Sequence, residues 1–191
     1  MSETEILKDQ EFYEMIQDIL VHPEMQKRRT FLHHDDSVYD HCLRVAYIVY
    51  QMCNTLTKYH IEVRTKDAVI AGLLHDLYST PWRDQPKKPL FEKHGFIHAQ
   101  EACHNAEVYF KQYMNPIVAD AITRHMFPLN VTPPKYLESW LVTLADKKDS
   151  FSIFKNPAKL PTYVGLNVPV RKLTLRTKKM YYLFKNYYLL P

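Results

Sequence analysis

A chain of 191 residues, 46% hydrophobic and 24% charged, is long enough to bury one core without disulfides or a structural metal. Three glycines argue against a turn-dense sheet fold, and three cysteines without short paired spacing exclude a disulfide framework; Cys42 and Cys53 read as small core residues. No run approaches the roughly 18 apolar residues of a membrane span, and no basic-then-apolar leader opens the chain, so a cytoplasmic protein without membrane contact is expected.

Net charge of +4 conceals an asymmetry: residues 151 to 191 hold eight Lys or Arg and no Asp or Glu, leaving 17 basic and 21 acidic residues before them. Such a segment reads as a basic C-terminal extension packed on the acidic body of its own domain, which argues against a nucleic-acid partner.

Taken in order, Glu11 to Val21 carries Phe12, Met15, Ile16, Ile19 and Leu20 at helical period, with Pro23 as its stop. Ser37 is a good N-cap for a second helix, whose stripe is Val38, Cys42, Val45, Val49, Met52 and Leu56, with His41 on its edge. Thr65 begins a helix over 66–78 that is apolar on nearly all sides. Gly72 within it costs about 1 kcal/mol relative to Ala, which a closely packed helix or ligand would justify. Pro81, Pro86 and Pro89 predict a loop from 79 to 91, placed as a lid.

A long helix is predicted from 92 to 114, with Phe96, Ala99, Cys103, Ala106 and Phe110 along one side. Asn115 caps the next, with Pro116 in its first turn, running to His125. The last clear helix, 135 to about 151, turns Leu137, Leu141, Leu144 and Ala145 inward, with Asp146 beside them and a polar end at Asp149. Beyond 152 the signals weaken. The fold class expected is all-α, a single-domain helical bundle over 1–191.

His75 and Asp76 stand side by side, with His41 upstream, Asp146 downstream and His94, His98 and His125 between. Buried neighbouring His and Asp side chains must be satisfied, and a cation does this for all of them at once. Four of these residues fall on or near apolar helix faces, where ligands meet at a bundle's centre. The nitrogen and oxygen mixture suits Fe, Mn, Co, Ni or Zn and is poor for Mg or Ca.

His41, the His75-Asp76 doublet and Asp146, in the contexts His41-Cys42-Leu43-Arg44-Val45-Ala46, Ala71-Gly72-Leu73-Leu74-His75-Asp76 and Leu144-Ala145-Asp146-Lys147, resemble the H…HD…D signature of the HD-domain metal-dependent phosphohydrolases. With His94, followed by Gly95, and His125, the chain resembles the H…HD…H…H…D subset. The resemblance covers about 37 to 150. It implies a first ion on His41, His75, Asp76 and Asp146 and a second on His94, His125 and the bridging Asp76; His98, one turn from His94, either replaces it as the ligand, supports the ligands from behind or is a plain helix-face histidine, His94 being the preferred ligand. Fe or Mn is the expected metal pair.

The same resemblance implies that metal-bound hydroxide attacks a phosphate ester or anhydride of a small substrate, expected to be a nucleotide. Asp76, His75, Arg44 and Lys147 take part in that chemistry; one or two of Arg44, Arg83, Lys93, Arg124 and Lys147 are expected to hold the rest of the phosphate, and Trp82 or Tyr78 stacks on a base if the substrate is a nucleotide, ordinary packing being the slightly preferred reading of both. The small bacterial dinucleoside tetraphosphate hydrolases look closest, whereas Leu77-Tyr78-Ser79 departs from the cyclic-dinucleotide enzymes. A mixed-valent diiron oxygenase and a non-catalytic nucleotide sensor are the alternatives, and a homodimer is compatible with all three.

Overall fold

The computed structural model describes residues 1–33, 36–79 and 94–150, with the backbone alone at 32, 33, 36 and 94–96. The expected tail 151–191 and, apart from Ser79, the expected lid 79–91 with Trp82 and Arg83 lie outside the described residues, as does Lys93. The order is α1 (Glu3–Ile6), α2 (Gln10–Leu20), α3 (Pro23–Lys27), a 3-10 turn Arg28–Thr30, a two-residue antiparallel ladder of β1 (Leu32–His33) with β2 (Asp36–Ser37), α4 (Val38–Lys58), α5 (Thr65–Leu74), α6 (His94–Tyr109), a 3-10 turn Lys111–Tyr113, α7 (Pro116–Arg124) and α8 (Leu137–Ser150). Among the described residues the fold is all-α apart from that ladder, and no helix is long and apolar enough to cross a membrane.

Caps explain most helix starts. Ser37 Oγ accepts the Asp40 amide at 3.1 Å, and Asn115 Oδ1 accepts those of Ile117 and Val118 at 2.9 and 3.1 Å, with Pro116 at the position that has no amide to lose. Pro23 does more than end α2, since it opens α3. At α5 the start is bound from outside: Glu138 of α8, buried, accepts the Arg64 amide at 2.9 Å.

Two predicted helices end early. The one expected over 66–78 ends at Leu74, although Leu77 and Tyr78 are apolar and buried. Their backbone is taken by other helices: the Leu77 carbonyl accepts from Asn105 at 2.7 Å and from Arg28 at 3.3 Å, and the Ser79 amide donates to Glu101 at 2.9 Å. The helix expected over 92–114 ends at Tyr109 and yields to the 3-10 turn. Its buried face is His98, Ala99, Ala102, Asn105 and Ala106, with Cys103 half-buried rather than in the stripe.

The core lies where α4 and α5 cross, with α8 against both and α7 packed on α5, α6 and α8. Gly72 makes the crossing close: a Cβ there would stand 3.1 Å from Ala46 Cα and 3.4 Å from its nitrogen, backbone atoms that cannot rotate away. The close helix is thus the reason for glycine. Gly72→Ala should force α5 off α4 and, as overpacking does, destabilise by about 1–3 kcal/mol despite alanine's better helix propensity; a denaturant midpoint equal to or above that of the parent would refute this.

Candidate metal centre

Each helix of the core brings one piece of the centre. His41 lies one turn into α4, His75 caps the C-terminus of α5 with Asp76 just beyond, His98 faces inward from α6, His125 caps α7, and Asp146 comes from α8. All are buried, from 0% exposure at His41 and His75 to 7% at Asp146.

The helix ends orient two of these rings. A helix leaves its last carbonyls without amide partners, and both capping histidines exploit this: His75 Nδ1–H donates to the Gly72 carbonyl at 2.8 Å and His125 Nδ1–H to the Ile122 carbonyl at 2.7 Å. A carbonyl can only accept, so the proton sits on Nδ1 and the neutral ring turns the Nε2 lone pair toward the cluster. His41 is oriented by a carboxylate instead, with Nδ1–H donating to Asp149 Oδ2 at 2.8 Å.

The inward atoms form two sets. His41 Nε2 is 3.2 Å from His75 Nε2 and 3.4 Å from Asp146 Oδ1, and His75 Nε2 is 3.8 Å from that same oxygen. On the other side His98 Nε2 is 3.1 Å from His125 Nε2. Asp76 stands between: Oδ2 is 3.9 and 3.8 Å from His41 and His75, while Oδ1 is 3.3 and 3.7 Å from His98 and His125.

These distances fit shared ions. Two ligands each about 2.1 Å from one ion lie about 3.0 Å apart at an octahedral right angle and about 3.4 Å apart at the tetrahedral angle. Each close pair needs a shared hydrogen or a positive charge between its two atoms, and a bound ion meets that need for all of them at once. His41, His75 and Asp146 are close enough to ligate one ion, and so are His75, Asp76 and His125. The donors are imidazole and carboxylate without thiolate, a set for Mn, Fe, Co, Ni or Zn.

Electrostatics agree with that need. Burial opposes charge on His41, but its hydrogen bonds to Asp146 and Asp149 outweigh burial and carry it up to about 9. Burial, reinforced by neighbouring His75 and His98, pulls His125 down to about 3, and burial also lowers His75. Burial works against ionising Asp76 and Asp146 too, yet the surrounding histidines hold both carboxyls below their ordinary range. The centre therefore holds fixed carboxylate charge, neutral rings at His75 and His125 with a lone pair to donate, and at His41 a ring that its two aspartates keep protonated in the absence of metal.

Among the residues expected from sequence, His41, His75, Asp76, His125 and Asp146 come together here. His98, set second to His94 as a ligand, has its Nε2 within the second set, while the side chain of His94, first residue of α6, lies outside the described residues. The expected phosphate-binding cations within the described residues are engaged by the protein: Arg44 donates to both Asp149 oxygens at 2.8 and 2.9 Å, Arg124 to Asp120 and the Pro133 carbonyl, and Lys147 to the His125 carbonyl at 3.1 Å. Tyr78 is buried with its ring stacked on Phe31, a packing role.

Sequence reasoning missed Asp149 and Arg28. Asp149 sits one turn after Asp146, and its aspartate spacing is the one signal it carried. Arg28, buried and paired with Glu24 at 2.9 Å, carried none.

No curated protein and no solved structure matches the chain. The model of the HD domain matches residues 38–150, which begins at the first residue of α4, ends at the last residue of α8 and takes in every residue of the centre. The chain belongs to the HD domain family.

Proposed function

We propose that the chain is a metal-dependent phosphohydrolase with a two-ion centre, acting on a phosphate ester or anhydride of a nucleotide. The observation that carries this is Asp76, a buried carboxylate whose two oxygens face two separate sets of imidazoles. In this reading His41, His75, Asp146 and Asp76 would hold one ion, and His98, His125 and Asp76 would hold the other, with His94 as a further ligand. Bound there, such ions supply hydroxide near neutral pH and absorb the charge that develops on phosphoryl oxygens.

The protein's part is to hold these donors still. His75 and His125 are fixed by their own helix ends, and Lys147 ties the carbonyl of His125 to α8. Asp76 is fixed because the residue after it is gripped by Asn105 and Arg28. With Arg44, Lys147 and Arg124 engaged in the frame, the rest of the substrate falls to Arg83, Lys93 and Trp82, which follow the doublet in sequence. Fe or Mn is the preferred pair.

The test is elemental analysis of protein purified without chelators, then a phosphate-release screen over nucleotides with Mn, Fe, Co and Ni. Two metal equivalents and phosphate release are expected, and His98→Ala should retain one equivalent. Metal-loaded protein that consumes oxygen, or that binds nucleotides tightly without turnover, would overturn the hydrolase reading; two equivalents retained by His98→Ala would move the second ligand to His94.

A further inference from the structure

Asp149 and Arg44 lie outside the ligand sets and repeat their spacing. His41 and Arg44 are three residues apart on α4, Asp146 and Asp149 three apart on α8, and the two pairs face one another. Asp146 Oδ1 faces His41 Nε2 and Asp149 Oδ2 faces His41 Nδ1, so the ring is gripped on both nitrogens by one helix. Asp149 is gripped in turn by the Arg44 fork, through Nε to Oδ1 at 2.8 Å and Nη2 to Oδ2 at 2.9 Å. Such a bidentate pair fixes both the position and the plane of the carboxylate.

His75 and His125 donate to neutral carbonyls, but His41 donates to a charged carboxylate. A carboxylate on the outer nitrogen pushes electron density to the inner one, which strengthens the bond from Nε2 to a cation.

We propose that Asp149, clamped by Arg44, is a positioning residue that makes the position formed by His41, His75 and Asp146 the first and tighter of the two to take up metal. This rests on the two-ion reading above. Arg44 accordingly serves the metal through Asp149, and its substitution acts on metal affinity.

The structural arrangement gives the two positions different strengths. The first has His41, His75, Asp146 and one oxygen of Asp76, with a second carboxylate behind His41; the second has His98, His125 and the other oxygen of Asp76, and His125 rests on a carbonyl. Loss of such an outer carboxylate typically weakens metal binding about 10- to 100-fold.

Chelator-stripped full-length protein is titrated anaerobically with Mn(II) at pH 8.5, where proton competition at the site is small, free Mn(II) being read by electron paramagnetic resonance. Circular dichroism follows the fold of the metal-free forms. The parent should bind in two steps. Asp149→Asn, which keeps the shape and removes the charge, should weaken the tighter step about 10- to 100-fold and leave the weaker one within about threefold. Arg44→Gln should shift the same step in the same direction by less, and it carries the test if Asp149→Asn does not fold. A purely structural role would lower the thermal midpoint of the metal-free protein without changing the ratio of the two steps, and that result would overturn the proposal. So would a tighter step unchanged in folded Asp149→Asn. A parent that binds no Mn(II) would overturn the two-ion reading itself and this inference with it.

Discussion

Asp76→Ala should lose both metal equivalents and reduce phosphate release by at least about 1,000-fold, because the ions it would hold supply both the nucleophile and the stabilisation of phosphoryl charge. Within the described residues Asp76 is the side chain that faces both imidazole sets, with Oδ2 toward His41 and His75 and Oδ1 toward His98 and His125. Truncating His98 takes a donor from one position; truncating Asp76 takes one from each and removes a fixed negative charge. The protonated His41 ring would then face an incoming cation with one carboxylate fewer to screen it. Asp76→Asn gives a finer reading, because its oxygen can still ligate one ion while its amide nitrogen cannot, so one equivalent at most should remain. Elemental analysis and phosphate release measured on the same folded samples decide the matter. Full turnover by metal-free Asp76→Ala would sink the proposed chemistry.

His41, His75, Asp76 and Asp146 were legible because each interrupts or borders an apolar helical face, and polar groups at such positions need a reason. The order of helices was legible for the same cause, since periodicity and caps are local. What escaped is decided by distant parts of the chain. Nothing in Leu77-Tyr78 ends a helix, yet α5 stops at Leu74 and the segment beyond it is held instead through the Leu77 carbonyl by Asn105, 28 residues from Leu77. His94 and His98 are one turn apart on α6, so periodicity assigns both to one face; the placement of α6 against α7 puts His98 Nε2 at 3.1 Å from His125. Asp149 reads in isolation as a solvated helix end, because its partners His41 and Arg44 lie more than a hundred residues earlier. Sequence thus exposes residues whose burial is costly, while those that orient them emerge only from the assembled contacts.

Loading the first position with metal should release one proton per protein at pH 7, and its affinity should fall about tenfold for each pH unit below 9. The proton comes from His41. Burial resists its charge, but hydrogen bonds to Asp146 and Asp149 more than compensate and hold it protonated up to about 9, whereas a cation requires the Nε2 lone pair. The other ligands at this position release nothing near neutrality: His75 is lowered by burial, and Asp76 and Asp146 are held ionised by the histidines around them despite burial. Between pH 9 and pH 6 the single proton therefore weakens binding about 1,000-fold. Metal-free protein should behave in the opposite sense. A group whose folded pKa is raised stabilises fully below its unfolded value of 6.5 and loses that contribution as pH rises through about 9, so the metal-free fold should weaken from His41 just where metal binding strengthens. Mn(II) calorimetry in buffers of differing ionisation enthalpy counts the proton directly, and thermal midpoints of the metal-free and loaded forms across pH 6 to 10 read the two slopes. Proton-free uptake at pH 7, with an affinity constant from 7 to 9, would mean that His41 is already neutral and that its two aspartates do not govern the site.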